Sequence, residues 1–172
     1  MDVAAVRQLE LVRSLGPEGA YIAAGFVRNR VWDALYDAAP TVNKADIDVV
    51  YFCTADVSPE RDYAYEVALT AEDPETNWQV RNQARMHHFH GYPPFGSLED
   101  GLTHWSETAT SVGVRLDEVG NMLFVAPFGF DDLAKHILRI TPGMKDMDPA
   151  GFDARLVAKG WQARWPRLKV MR

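Results

Sequence analysis

The sequence predicts an α+β domain with additional helices at the C-terminal end. Three observations predict it. Amphipathic helical stretches and short β-rich runs interleave through the first half of the chain. Two β-rich runs around a turn at 117–121 read as a hairpin. No repeat, low-complexity run or linker divides the 172 residues, so the chain reads as one domain, 1–172, long enough to bury a sizeable core.

Each element has its own signal. Residues 3–14 form an amphipathic helix with Val3, Val6, Leu9 and Val12 near one side, ended by Gly16, Pro17 and Gly19. Residues 21–24 are a short apolar strand broken by Gly25. A helix follows over about 26–36, its apolar positions Val27, Val31, Ala34 and Leu35 at helical period. A loop at 39–45 leads into the β-rich run 47–52, read as an interior strand. Ser58, Pro59 and Glu60 open a helix to about Leu69, with serine as cap, proline at the first position and an acid in the first turn. Residues 78–82 are a third strand. The run RMHHFHGYPPFG at 85–96 reads as a loop, and Ser97 caps a helix over 98–105. After the hairpin at 112–126, Asp131 caps a helix to about Ile140. A loop covers 141–150, and a last helix spans roughly 152–165 before Pro166.

Composition excludes several classes. No apolar run approaches a membrane span, and the first fifteen residues lack a signal peptide's apolar block, so a cytoplasmic protein is expected. Cys53 is the sole cysteine, which excludes an internal disulfide and a cysteine zinc site. A formal charge of −6 argues against a surface coated for nucleic acid, though it leaves room for a local basic patch.

The chemistry-bearing stretch runs from Ala23 to Phe52. Asp46 and Asp48 stand two apart on a strand, so their side chains leave the same face. Carboxylates held that close repel unless a cation lies between them, and hard oxygen ligands suit Mg²⁺ or Mn²⁺. The bland alternative has Asp46 capping a loop and only Asp48 partly buried. Upstream, strand, Gly25 and helix make a turn that aims free backbone N–H groups at an anion, with Arg28 in the helix's first turn. The alternative there is a glycine needed for backbone conformation alone.

At these residues the chain resembles a known family. A24-G-F-V-R-N29 followed by D46-I-D48 is similar to the G-G-x-V-R-D … D-x-D signature of the nucleotidyltransferase superfamily, which includes tRNA CCA-adding enzymes, poly(A) polymerases and DNA polymerase beta. The segments GFVRN, DIDVVYF, NQARMH, YPPFGSLEDGL, ETATSVGVRL, APFGFDDL and KGWQARWP resemble, over most of the chain, a family of bacterial nucleotidyltransferase-like proteins. The resemblance implies a nucleotidyltransferase fold, a mixed β-sheet flanked by helices with the two aspartates at one end of a strand, and metal-dependent transfer of a nucleoside monophosphate from a nucleoside triphosphate (NTP) to an acceptor hydroxyl. Asp46 and Asp48 would be the catalytic, Mg²⁺- or Mn²⁺-holding pair. Gly25 and the amides after it, beginning with Phe26, would bind phosphate, and Arg28 would neutralise it. Ala24 stands where the signature has its first glycine and Asn29 where it has an aspartate. The interval from Gly25 to Asp46 is longer than usual. Many members carry a third carboxylate on the following strand, where this chain has Gln79; Asp117 and Glu107 are the acids that could take its place. These departures motivate a rival reading, a nucleotide-binding or regulatory module with little or no turnover.

Two further clusters complete the reading. Arg81 and Arg85 flank the end of the third strand with His87 and His88, and the arginines are candidates for phosphate contact or for structural pairing. His87, His88 and His90 lack partner ligands at a helical spacing, which argues against a zinc cluster. Arg155, Lys159, Arg164, Arg167, Lys169 and Arg172 lie in an acid-free tail, with Val157, Trp161 and Trp165 on one expected helix face; this reads as a packed helix with solvated charges or, less simply, a nucleic-acid patch. The expected partners are an NTP and an acceptor open between nucleic acid and protein, with no membrane.

Overall fold

A computed structural model describes residues 3–36 and 46–172 of the chain. The expected loop at 39–45 lies outside the described residues. Among those described, the elements in order are α1 (Val3–Leu15), β1 (Tyr21–Ala23), α2 (Gly25–Ala34), β2 (Ile47–Tyr51), α3 (Pro59–Glu72), β3 (Trp78–Asn82), a 3₁₀ stretch (Gln83–His90) and α4 (Leu98–Thr103). Then come β4 (Gly113–Leu116), β5 (Met122–Val125), α5 (Asp131–Ala134), β6 (Ile137–Arg139), α6 (Pro142–Met147), α7 (Pro149–Lys159), α8 (Trp161–Arg164) and β7 (Lys169–Met171).

The main sheet has the strand order β3-β2-β1-β4-β5. Only β2 and β3 run parallel; the other pairs are antiparallel. A parallel pair needs a crossover, and α3 supplies it. Strand alternation divides the two faces. Ile47, Val49 and Tyr51 of β2 and Trp78 and Val80 of β3 point into a core closed by Ala5, Leu9 and Val12 of α1 and Leu69 of α3. The alternate residues, Asp48 and Val50 paired with Gln79 and Arg81, leave the opposite face. Apolar burial on one face thus fixes the register that presents Asp48 on the other.

A second core lies beside α2. Trp32 of α2, Leu138 and Ile140, Phe152 and Leu156 of α7, and Trp165 form its centre. Trp32 Nε1 donates to the Leu133 carbonyl at 2.9 Å, and Trp165 Nε1 to Asp33 Oδ1 at 3.0 Å. These bonds tie the C-terminal elements to α2. No helix among the described residues is long and apolar enough to cross a membrane.

The C-terminal third departs from expectation. The helix expected over 131–140 stops after α5, because His136 takes φ 58° and Ile137–Arg139 pair in parallel with Lys169–Met171. A partner thirty residues away is invisible to local periodicity. The expected loop at 141–150 contains α6, whose cap Thr141 accepts from Met144 N and whose first position is Pro142. The expected last helix breaks at Gly160, φ 60°, into α7 and α8. Trp161 and Trp165 are buried, but Val157 is exposed, so the three share no buried face. The 85–96 loop begins in 3₁₀ turns, and on α1 the buried positions are Ala5, Leu9 and Val12 rather than Val3 and Val6.

Candidate active site

The site is built where β1 turns into α2 and β2 begins. Ala24, between them, adopts φ 53° and ψ −121°, outside the usual range for a residue with a side chain. The positive φ therefore falls on Ala24 and not on Gly25. Gly25 opens α2 itself, and a Cβ there would stand 3.3 Å from Asn29 Nδ2 and 3.5 Å from Arg28 Nη2. Its lack of a side chain keeps the helix start clear. No side chain caps α2, so its first-turn amides have no partner within the helix and keep their donors available.

Asp48 is half-buried on the site face of β2, and Asp46 is exposed just before the strand. Burial, reinforced by the Asp46 charge, pushes the Asp48 carboxyl above the usual carboxylate range; Arg155, Lys159 and Arg28 pull it back. Asn77 Nδ2 donates to Asp46 Oδ1. Gln79 is the register partner of Asp48 on β3, so an amide stands where a third acid could have been.

The other expected residues separate into two sets. Arg28 is buried, 6% exposed, with its Nε and Nη2 both donating to Asn29 Oδ1 at 3.2 and 2.9 Å. Its guanidinium lies 4.6 Å from the Trp161 ring centre and 5.7 Å from that of Trp32. Burial pulls its pKa down to about 10, against the attraction of Glu107. Asn29 thus performs with an amide oxygen what an aspartate would do with charge. Phe26 is buried in the sheet core, with the Arg30 guanidinium 4.0 Å from its ring centre, so only its backbone amide can serve a ligand at the helix start. Arg81 lines the site cavity and pairs with Glu66 at 2.6 Å. Arg85 is turned elsewhere: it pairs with buried Asp62, which also accepts from the Tyr51 hydroxyl and the Asn82 amide.

A cavity of about 580 Å³ opens along the site face, and Ala24, Asp48, Val50, Arg81, Glu107 and Arg155 are among its lining residues. Glu107 and Arg155 are the two that sequence reasoning did not place. Glu107 is fully buried, accepts from Thr110 Oγ1 at 2.8 Å and from Arg155 Nε at 2.7 Å. Arg155 comes from α7, more than a hundred residues from Asp48, and only its position in the acid-free tail hinted at it. Asp117, the other acid considered for a third position, is held in the β4–β5 turn by Asn121 and Val119 and borders a different cavity.

Among the described residues no three His, Cys, Asp or Glu side chains converge as a metal cluster, and His87 bonds the Ala84 carbonyl through Nδ1. The donor set that exists is two carboxylates, one of them half-buried and repelled by the other. That suits an ion such as Mg²⁺, which is commonly held by one or two carboxylates together with substrate phosphates. Of the six C-terminal bases, Arg155, Arg164 and Arg172 pair with Glu107, Asp33 and Asp153, and Arg167 stacks on Tyr36. This favours a packed tail over a nucleic-acid patch.

The chain belongs to the nucleotidyltransferase family, whose model matches residues 10–170. Its structure is similar to an NMR structure described as revealing a CCA-adding enzyme head domain, at 31% identity and a TM-score of 0.83, over 95% of this chain and 87% of that one. It is similar in fold to a CCA-adding enzyme in complex with CTP, at 15% identity and a TM-score of 0.65, covering 100% of this chain and 41% of the enzyme. The Thermotoga maritima CCA-adding enzyme complexed with tRNA aligns at 15% identity and a TM-score of 0.60, again over 100% of this chain and 40% of the enzyme. This chain therefore spans less than half the length of those two enzymes. No curated protein matches in sequence.

Proposed function

We propose that the protein transfers a nucleoside monophosphate from an NTP to an acceptor hydroxyl, with Asp46 and Asp48 holding Mg²⁺ or Mn²⁺. The observation that carries this reading is the placement of Asp48: half-buried, repelled by Asp46, and lining one cavity with Ala24 at the start of α2. A bound divalent ion would polarise the phosphate oxygens and ease ionisation of the attacking hydroxyl. The amides of Gly25 and Phe26 donate to the triphosphate at the helix start. Arg155 offers positive charge from the cavity wall while Glu107 fixes its Nε. Arg81 lines the same cavity. Arg28 holds the helix start in place through Asn29. In the transfer, the acceptor oxygen bonds to the α-phosphorus, the bond from that phosphorus to the α–β bridging oxygen breaks, and pyrophosphate leaves with the charge.

Similar enzymes have been seen with CTP, ATP and tRNA, which makes an NTP the donor and a nucleic acid the first acceptor to try, with a protein acceptor second. We place the reaction in the cytoplasm. A second reading, a nucleotide-binding module with little turnover, is favoured by Gln79 beside Asp48. Labelled NTPs with Mg²⁺ and a panel of RNA and protein acceptors separate them. Labelled product with pyrophosphate release, lost in Asp48→Asn, supports the enzyme; tight binding without product supports the module.

A further inference from the structure

The cavity that begins at Ala24 and Asp48 continues along a wall built by residues 83–107, and that wall is aromatic. Phe89, Tyr92, Phe95, His104 and Trp105 all line it. Four of the five are fixed. Phe95 stacks on His104 with ring centres 4.6 Å apart, and Tyr92 meets the same imidazole edge-on at 4.2 Å. Trp105 Nε1 donates to Gln83 Oε1 at 3.2 Å. Gly101 keeps the wall tight, since a Cβ there would meet Gln83 and Phe95 at 3.2 Å. Phe89 differs. It is 72% exposed although it lines the cavity, and no ring among the described residues packs on it.

An exposed phenyl ring that lines one cavity with a fixed aromatic wall has only two side-chain torsions to order on binding a second ring, and it gains a stacking partner that water cannot supply. The ring that fits is constrained by what else lines the same cavity, Ala24 and Asp48. A triphosphate at the start of α2 beside Asp48 leaves its ribose and base to extend along the wall. The volume, about 580 Å³, is within the range of sites that hold one small ligand. We propose that Phe89 is the stacking platform for the base of the incoming nucleotide, so that the segment after β3 supplies base binding within this chain. This rests on the nucleotidyl-transfer reading, because the triphosphate anchors the base. Ser106 lines the same cavity as a polar residue, while Gln83 and Thr110 in its wall are committed to Trp105 and Glu107. Stacking accepts every base, so Phe89 sets affinity for nucleotides as a class rather than choice among them.

The test compares Mg²⁺-dependent binding of the four NTPs and of inorganic tripolyphosphate to the full chain by calorimetry. Phe89→Ala should weaken every NTP roughly tenfold and leave tripolyphosphate within about twofold, the range for loss of one base–aromatic stack. Phe89→Trp should restore NTP affinity. Because Phe89 is exposed, both variants keep the wild-type melting temperature. If wild-type protein binds tripolyphosphate and NTPs equally, or Phe89→Ala leaves NTP affinity unchanged, the platform is overturned while the phosphate site stands. If Phe89→Ala spares NTPs and instead weakens a single-stranded oligonucleotide acceptor, the ring belongs to the acceptor and the assignment to the incoming nucleotide is overturned. If neither tripolyphosphate nor any NTP binds, the nucleotidyl-transfer reading falls and this inference falls with it.

Discussion

Asp48 on β2 and Gln79 on β3 are register partners across a parallel strand pair and leave the same face of the sheet. The chain thus has an amide where a charge would complete a three-carboxylate site. Gln79→Glu should put a like charge beside Asp48 and lower metal-free stability by about 0.5–1 kcal/mol, as for like charges placed on adjacent strands. The same change should tighten Mn²⁺ binding, measured by calorimetry or electron paramagnetic resonance, because the added carboxylate enters the ion's reach. Loss of stability with unchanged Mn²⁺ affinity would show that position 79 faces the aspartates without reaching their ligand.

Asp48 pays for its position in the metal-free protein. Its carboxyl is pushed above the ordinary value of 3.8 by burial and then by Asp46. The folded state therefore holds a proton that the unfolded chain has already released. Between the unfolded and folded values stability must fall as pH rises, and above the folded value the loss is complete. Asp48→Asn removes this contribution. It should stabilise the metal-free protein near pH 7 by about 0.5–2 kcal/mol, the usual range when a functional strain is relieved. The difference should vanish below about pH 4, where both states of the wild type are protonated. Thermal melts across pH without divalent ions check this. Transfer activity should be lost in the same variant, and added Mg²⁺ should raise the melting point of the wild type alone.

Much of this was readable from residues in order. The strand–turn–helix at 21–36, the strand carrying Asp48, the Ser58-Pro59 helix start and the hairpin are local signals, and the structure has each within a few residues. The alternation in β2 put Asp48 on the face opposite the core, while Asp46 stands just before the strand with its carboxylate on Asn77, and the resemblance in the rest of the chain named the fold. What the sequence could not show depends on pairing across long intervals. Ile137–Arg139 reads as the end of a helix until β7 lies beside it. Arg28 reads as a phosphate ligand until Trp161 closes over its guanidinium. Arg85 reads as a site residue until buried Asp62 claims its charge. Glu107 and Arg155 carry no local motif at all, because their meaning arises only from the contact between them.

Ala24 stores strain at the start of the site. With φ 53° and ψ −121° it holds a conformation that glycine adopts freely and alanine does not. Such outliers cost on the order of 1–3 kcal/mol, and replacing alanine by glycine gives back about 0.4–1 kcal/mol through the looser unfolded chain. Ala24→Gly should therefore stabilise the protein by roughly 1 kcal/mol and raise its melting point by about 2–4 °C. Gly25→Ala should do something different. Gly25 has an ordinary φ, but a Cβ would crowd Asn29 at 3.3 Å and stand at the helix start. Melting should change little while tripolyphosphate binding weakens. A stability loss in Ala24→Gly would contradict the assignment of strain to Ala24.

The cation that serves the phosphates can be identified by separating affinity from stability. Arg28 is buried, stacked on Trp161 and bonded twice to Asn29, whereas Arg155 lines the cavity with its side chain 39% exposed and its Nε on fully buried Glu107. Arg28→Met should lower stability by about 1–2 kcal/mol, from the lost hydrogen bonds and ring stacking, and leave tripolyphosphate affinity within about twofold among folded molecules. Arg155→Lys keeps a charge but loses the planar fork, so tripolyphosphate affinity should fall by roughly tenfold, the scale of one charge-assisted hydrogen bond. Glu107→Gln tests the anchor. It keeps the oxygen that accepts from Arg155 Nε and turns an NH2 donor toward Thr110 Oγ1, which can accept instead of donating, so stability should change by no more than about 1 kcal/mol. Glu107→Ala leaves Arg155 Nε without its acceptor, while Thr110 keeps the Glu107 carbonyl, and should cost about 1–3 kcal/mol because Arg155 is partly exposed. Melting curves and calorimetry on the four variants decide the matter. If Arg28→Met abolishes tripolyphosphate binding at unchanged stability while Arg155→Lys binds as wild type, the phosphate charge is met by Arg28 after all, and the Trp161 stack must open for it to do so.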